Sequence, residues 1–208
     1  MDEASASDDA ASISATILEE EEKHSLHSRE FGFWIYLMTD AVIFALLFAT
    51  YAVLSENSAA GPTSKELFDL SRTAVETGLL LASSLTFGMA SIALMNDHKG
   101  RVVQWLFVTL LLGFAFLAME LSEFAGMIEK GAGPEVSGFL SAFFTLVGTH
   151  GLHVAFGALG IVVMIGQIMV KGLTPPVRSR LMRLGLFWHF LDIVWIGIFS
   201  AVYLPGVL

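Results

Sequence analysis

Seven ionisable side chains lie inside long stretches of otherwise uncharged, apolar sequence. They are Asp40, Glu120, Glu123, His150, His153, His189 and Asp192. Carboxylates and imidazoles in such surroundings can pair across helices, pass protons or, in the case of histidine, bind haem or a metal ion. A charged group at the centre of a lipid bilayer costs at least about 2.5–3.5 kcal/mol, so each of these residues needs a structural or functional reason.

The spacing of these residues predicts local pairs. Residues three apart share one face of a helix, which applies to His150 with His153, His189 with Asp192, and Glu120 with Glu123. The residue types favour a role in binding helices to one another, with a proton relay as the main alternative. Two histidines on one helix cannot hold opposite faces of a haem, and without a neighbouring acid they make a weak metal site. We therefore predict no catalytic, cofactor-binding or metal-binding residue.

Five apolar stretches are long enough to position these side chains within a membrane. A hydrocarbon core about 30 Å thick needs about 20 apolar residues in a helix, and 55% of the chain is hydrophobic while only 15% is charged. The apolar runs are continuous and do not alternate, which excludes a β-barrel. The sequence predicts an all-α membrane protein with a five-helix transmembrane domain over residues 30–208 and spans at about 31–54, 76–96, 102–123, 139–170 and 184–206.

The basic residues predict the orientation of these helices. Cytoplasmic segments carry an excess of lysine and arginine. With the N-terminus inside, only Lys65, Arg72 and Lys130 of the 11 basic residues fall outside. We therefore predict a cytoplasmic N-terminus and a periplasmic C-terminus. Residues 1–29 form an acidic cytoplasmic tail whose composition predicts disorder, and the net charge of −9 argues against a nucleic-acid partner.

This orientation predicts two depths for the polar residues. A helix rises about 1.5 Å per residue. The positions then place four side chains at comparable depth in the inner half of the bundle: Asp40, His153, His189 and Asp192. Glu120 and Glu123 lie apart from them, towards the outer face.

Two of the helices carry longer motifs. Residues 139–154 read FLSAFFTLVGTHGLHV, and residues 187–195 read FWHFLDIVW. The first resembles the Gly-x-His-Gly-x-His-Val segment of subunit III of the haem–copper terminal oxidases, and the second resembles the closing Trp-His-Phe-x-Asp-x-Val-Trp segment of that family. The runs FGFWIYLMTD at 31–40 and FATYAVL at 48–54, together with Met119-Glu120, resemble the cytochrome bo-type ubiquinol oxidase branch more closely than the cytochrome c branch.

The resemblance implies a non-catalytic subunit of five helices in the bacterial inner membrane. It implies that subunits I, II and IV are partners, that the haems and copper belong to subunit I, and that this chain carries none. The complex of that family oxidises ubiquinol, reduces oxygen to water and pumps protons in the aerobic respiratory chain. Subunit III is expected to stabilise the complex, support proton uptake and retain phospholipid.

Two positions depart from the pattern of the wider family. Asp40 stands where cytochrome c oxidase members usually carry a buried glutamate, and Gln167 stands where mitochondrial members carry an arginine that faces lipid phosphate. The second departure weakens the case for a phosphate anchor at that helix end. By resemblance, His153 and Asp40 are expected to contact bound phospholipid.

Two functions of other classes stay open at this point. The chain could be a free-standing proton or ion carrier that uses Asp40, Asp192 and the histidines as a relay. It could also be a membrane enzyme with a buried pair at His189 and Asp192, although no nucleophile stands at a fixed spacing from that pair.

Overall fold

The computed structural model describes residues 3–55 and 70–207, and the regular structure in those ranges is helical throughout. In chain order the helices are α1 (Glu3–Leu54), α2 (Leu70–Met95), α3 (Lys99–Glu129), α4 (Gly138–Lys171) and α5 (Pro175–Ile198), followed by a π-helical turn at Phe199–Tyr203 and a short α6 at Leu204–Val207. The chain divides into one compact unit ending at Val42 and a second that begins at Ile43.

Within the described residues, five helical segments are long and apolar enough to cross a membrane. They are Glu30–Leu54, Leu70–Met95, Lys99–Glu129, Gly138–Lys171 and Pro175–Tyr203. The prediction of an all-helical protein with five membrane-spanning segments is therefore confirmed.

The helices extend beyond the apolar runs that predict them. The helix α2 begins at Leu70 and so includes Arg72 and Glu76, while α3 continues as far as Glu129. Hydropathy marks only the part of a helix that lipid or protein surrounds, whereas the hydrogen-bonded helix continues until its ends are capped. In the first unit, α1 begins at Glu3, so the structure assigns a helix to the acidic segment. The disorder that the composition of residues 1–29 predicts stays a prediction.

Caps and turn residues explain where the later helices begin and end. The side chain of Ser137 caps α4 by accepting a hydrogen bond from the Leu140 amide (3.2 Å). Gly172 ends the same helix with a φ of 72°, a conformation that glycine adopts without strain. Pro175 then opens α5, where the missing amide proton of proline costs nothing.

The helices α2 to α5 form a closed ring. α2 packs against α3, α3 against α4, α4 against α5, and α5 against α2. Two close approaches fix this ring: a Cβ atom added at Gly113 on α3 would lie 2.9 Å from the indole of Trp188, and one at Gly157 on α4 would lie 3.0 Å from it. Glycine at both positions lets the backbones approach the indole closely.

Candidate functional site

Two tryptophans of α5 join the ring at its centre. The Trp188 indole donates a hydrogen bond to Ser83 Oγ (3.0 Å), and the Trp195 indole donates one to Thr77 Oγ1 (3.0 Å). Both hydroxyls belong to α2, and both indoles are almost completely buried. A buried indole N–H without a partner would be costly, so these bonds fix how α5 is rotated against α2. We call these four residues the tryptophan layer.

His150 lies in an aromatic enclosure beside this layer. Its ring lies over Trp195 (5.2 Å between centroids, 31° between planes) and contacts Phe116 and Phe44 edge-on. The side chain is completely buried, and neither ring nitrogen has a hydrogen-bond partner among the described residues. This geometry uses the imidazole as a packing element between aromatic rings.

His189 and Asp192 come together, as their spacing predicts. Ser84 Oγ lies 2.7 Å from His189 Nδ1, and Asp192 Oδ2 lies 3.7 Å from the same nitrogen. The second distance is too long for a hydrogen bond, so the aspartate acts on the imidazole electrostatically. A serine–histidine–aspartate triad needs its serine and its aspartate on different ring nitrogens, and here both approach Nδ1. The arrangement therefore lacks the geometry of such a triad.

The His189 ring also reaches the surface of the bundle. Its side chain is 43% exposed, whereas the side chain of Asp192 is 7% exposed. The described contacts of the ring use Nδ1 and its edge against Phe87, which leaves Nε2 available to a neighbouring molecule.

His153 and Asp40 belong to different compact units of the chain. His153 Nδ1 hydrogen-bonds the carbonyl of Thr149 (2.7 Å), and its ring packs near Phe44 and Phe187. Asp40, in the first unit, interacts with the hydroxyl of Tyr36 one helical turn earlier. His189 and Asp192 thus lie together, and the comparable depth of all four inner residues stays a prediction.

A second polar group occupies the opposite end of the ring. Glu76 on α2 and Glu120 and Glu123 on α3 are all buried, and they lie within electrostatic range of one another. Arg72 Nε lies 3.5 Å from Glu76 Oε1, and the hydroxyl of Tyr203 donates a hydrogen bond to Glu123 Oε2 (3.3 Å). We call these five residues the acidic cluster.

Arg72 of this cluster makes hydrogen bonds to both α2 and α3. Arg72 Nη2 donates to the carbonyl of Met119 (2.6 Å) and to the hydroxyl of Ser122 on α3. It therefore ties the first turn of α2 to the end of α3 and gives Glu76 only one long contact.

Glu120 is the most enclosed member of the acidic cluster. It is 2% exposed, and within residues 3–55 and 70–207 neither carboxyl oxygen has a hydrogen-bond partner. The carboxyl lies directly on Gly151 of α4, where an added Cβ atom would come within 2.7 Å of Oε2. A cavity of about 280 Å³ lies beside it, and the other residues around that cavity are apolar.

A third polar region lies at the end of the ring where α4 ends and α5 begins. Arg180 donates a hydrogen bond to Gln167 Oε1 (3.0 Å), and Lys99 donates one to the carbonyl of Met169 (3.1 Å). Arg178 pairs with Asp97 and donates to the carbonyl of Leu94 (3.2 Å). The guanidinium of Arg180 on α5 therefore lies beside Gln167 on α4. By resemblance, Gln167 is the position where mitochondrial members of the family carry an arginine.

Sequence reasoning missed several of these partners. Arg72 lies outside the predicted second span and Glu76 stands at its first position, and neither was singled out, while Tyr203, Ser83 and Thr77 drew no attention in apolar surroundings. One signal was present, because Arg72 and Glu76 stand four apart, the spacing of an ion pair on a helix. Among the described residues, no group of three or more histidine, cysteine, aspartate or glutamate side chains is arranged to hold a metal ion.

Comparison with known proteins identifies the class of this bundle. A family model described as "Cytochrome c oxidase subunit III" matches residues 10–207. Because this match covers nearly the whole chain, the protein belongs to the cytochrome c oxidase subunit III family. The resemblance carried by the motifs at 139–154 and 187–195 is thereby confirmed.

Curated relatives narrow the branch of that family. The chain is 54% identical over 178 residues to cytochrome bo(3) ubiquinol oxidase subunit 3 of Pseudomonas aeruginosa, which covers 86% of this chain and 85% of the relative. It is 43% identical over 187 residues to the protein of the same name from Buchnera aphidicola subsp. Acyrthosiphon pisum, covering 90% and 91%. It is 43% identical over 176 residues to quinol oxidase subunit 3 of Bacillus subtilis, covering 85% and 86%. The protein is a multi-pass protein of the bacterial inner membrane.

Proposed function

We propose that the chain is the non-catalytic subunit III of a bacterial bo-type ubiquinol oxidase. The observation that carries this proposal is the name shared by relatives that are 43–54% identical and align over most of both chains. The complex would oxidise ubiquinol, reduce oxygen to water and pump protons in the aerobic respiratory chain. Its haems and copper would reside in subunit I.

The geometry of His189 supports a role in assembly. Ser84 and Asp192 hold the imidazole at Nδ1, while 43% of its side chain is exposed at the bundle surface. A fixed imidazole with Nε2 available can hydrogen-bond a polar group on a neighbouring transmembrane helix. We assign this surface to the contact with subunit I, and subunits II and IV complete the set of partners.

The remaining polar residues support binding of lipid and one orientation of the chain. His153 and Asp40 would contact bound phospholipid. The end of the ring that carries Lys99, Arg178 and Arg180 would face the cytoplasm together with the N-terminus, because basic residues accumulate on that side. Fusing a reporter active only in the periplasm to the C-terminus should give signal, and an inactive reporter would contradict this orientation.

Purification of the chain alone tests the proposal against a free-standing carrier. The isolated protein should show no haem absorption, no quinol oxidation and no proton movement across liposomes, because a subunit without redox groups needs its partners. Proton flux carried by the isolated chain would favour the carrier, and a redox-active haem bound to it would also contradict the proposal.

Replacement of Asp192 by leucine tests the assembly role. The change removes the carboxylate that orients His189, so subunit I should dissociate from the complex more readily in detergent. The complexes that survive should reduce oxygen at nearly the normal rate. The control is Glu129→Leu, which removes an exposed acid at the end of α3. Normal assembly of Asp192→Leu combined with lost turnover would indicate a chemical role instead.

A further inference from the structure

The acidic cluster contains more hydrogen-bond acceptors than donors. An ionised carboxylate is purely an acceptor, with two oxygens to satisfy. Among the described residues, Arg72 serves one oxygen of Glu76 and Tyr203 serves one oxygen of Glu123. The second oxygen of Glu76 and both oxygens of Glu120 face no donor. Buried polar groups in folded proteins are nearly always hydrogen-bonded, so the missing donors must be protons on the carboxyls themselves or groups other than the described side chains.

Burial limits what those donors can be. The three unpartnered oxygens have almost no accessible surface, and Glu76 and Glu120 are 0% and 2% exposed. A side chain of a partner subunit or a lipid headgroup cannot reach atoms enclosed in this way. A metal ion is not favoured either, since the described residues offer no group arranged to hold one.

The balance of charges in the cluster supports the same conclusion. Three carboxylates stand against one guanidinium, and the guanidinium of Arg72 is shared with Met119 and Ser122. The other ionisable group of the cluster is the phenol of Tyr203, which donates a hydrogen bond to Glu123. Within the part of the chain that the structure describes, Arg72 is the cation that acts on Glu76, and the charged groups that act on Glu120 are carboxylates, so ionisation of both would leave uncompensated negative charge in a low-dielectric interior.

We propose that Glu76, Glu120 and Glu123 form an internal site that binds exchangeable protons, held as carboxyl protons or as internal water, at the end of the bundle opposite Lys99 and Arg178. Either form supplies the missing donors, and a carboxyl proton also neutralises one negative charge. Arg72, with its side chain 34% exposed, stands between this site and the membrane surface and can exchange protons through its hydration shell. The inference depends on the geometry of this chain alone and is independent of the proposed function.

Infrared difference spectroscopy in H₂O and D₂O tests the site directly. The full-length chain would be purified in the complex that it forms in its native membrane, as wild type and as Glu120→Gln. The isosteric amide keeps the shape of the side chain but removes the carboxyl. The matched control is Glu129→Gln, which alters an exposed carboxyl on the same helix.

We expect the wild type to show an isotope-sensitive band that is lost in Glu120→Gln and kept in Glu129→Gln. A protonated-carboxyl band identifies a bound proton, and an internal-water O–H band identifies bound water. Identical spectra for wild type and Glu120→Gln would overturn the proposal. If Glu120→Gln fails to assemble, Glu76→Gln replaces it; failure of both would also overturn the proposal, because a site that holds protons or water should accept an amide.

Discussion

The tryptophan layer and the acidic cluster both bury polar atoms between α2 and the helices that face it, but they differ in how those atoms are hydrogen-bonded. In the tryptophan layer each indole N–H meets a hydroxyl on α2 at 3.0 Å. In the acidic cluster, three carboxyl oxygens have no partner. The first arrangement is what a membrane bundle needs for a unique packing. The second is costly for packing alone, which suggests that it is retained for another purpose.

The two regions also differ in how tightly the surrounding residues pack. Trp188 is held between glycines of α3 and α4, with no room for a methyl group. Glu120 lies on Gly151, but both residues border a cavity of about 280 Å³. Mutations in the two regions should therefore differ in both size and sign.

The largest effect is expected when Trp188 is replaced by alanine. The change removes a completely buried ring that contacts α3 and α4 and leaves Ser83 without its donor, so the loss in free energy of unfolding should be about 3–5 kcal/mol. Unfolding in mixed micelles with increasing SDS measures it. Trp34→Ala is the control, because Trp34 is 51% exposed and its loss should cost much less. Equal losses at both positions would contradict the central role of Trp188.

A smaller effect is expected when a methyl group is added beside Trp188. Gly113→Ala should destabilise the bundle by about 1–3 kcal/mol, since overpacking forces the indole and the helix apart. The same change at Gly126, further along α3 where an added Cβ meets nothing within 4 Å, should be neutral or stabilising. Thermal denaturation of the two variants in one detergent compares them. Stabilisation by Gly113→Ala would show that the ring is looser than described.

A modest effect is expected from the hydroxyl that accepts the Trp188 bond. Ser83→Ala should cost about 0.6–1 kcal/mol, the typical worth of one hydrogen bond between membrane helices. Ser91→Ala is the matched control, because Ser91 bonds the carbonyl of Phe87 in its own helix. A double-mutant cycle with Trp188→Phe isolates the pair, and a coupling of zero would mean that this bond contributes nothing.

The smallest effect on stability, and one of opposite sign, is expected in the acidic cluster. Glu120→Gln supplies donors to neighbouring carboxyl oxygens, so the free energy of unfolding should stay within about 1 kcal/mol of wild type or rise. The same SDS titration measures it. A loss in free energy of unfolding comparable to that of Trp188→Ala would show that the carboxyl is essential for the stability of the bundle. The two regions would then not differ as described.

The helices were more predictable from the sequence than the contacts between them. Continuous apolar runs mark the membrane spans because lipid demands them, and the pair at His189 and Asp192 follows from a spacing of three on one helix. Pairs such as Trp188 with Ser83 stand 105 residues apart. Their meeting depends on the rotation of each helix about its axis, which hydropathy does not specify when a helix is apolar all round.

The acidic cluster was only half predictable for a related reason. Glu120 and Glu123 interrupt an apolar run and therefore stand out. Glu76 stands at the first position of the predicted span, just before the uncharged part of α2, so an estimate based on apolar length places it at the edge of the membrane and not in the interior. Only the packing of α2 against α3 shows that it is completely buried.

The most direct test of the account is affinity purification of the tagged full-length chain from its native membrane in mild detergent. We expect a large haem–copper subunit to co-purify, with haem absorption and oxygen consumption driven by ubiquinol. A chain that purifies alone from membranes containing an active quinol oxidase, or that carries a redox-active haem of its own, would contradict the assignment to subunit III.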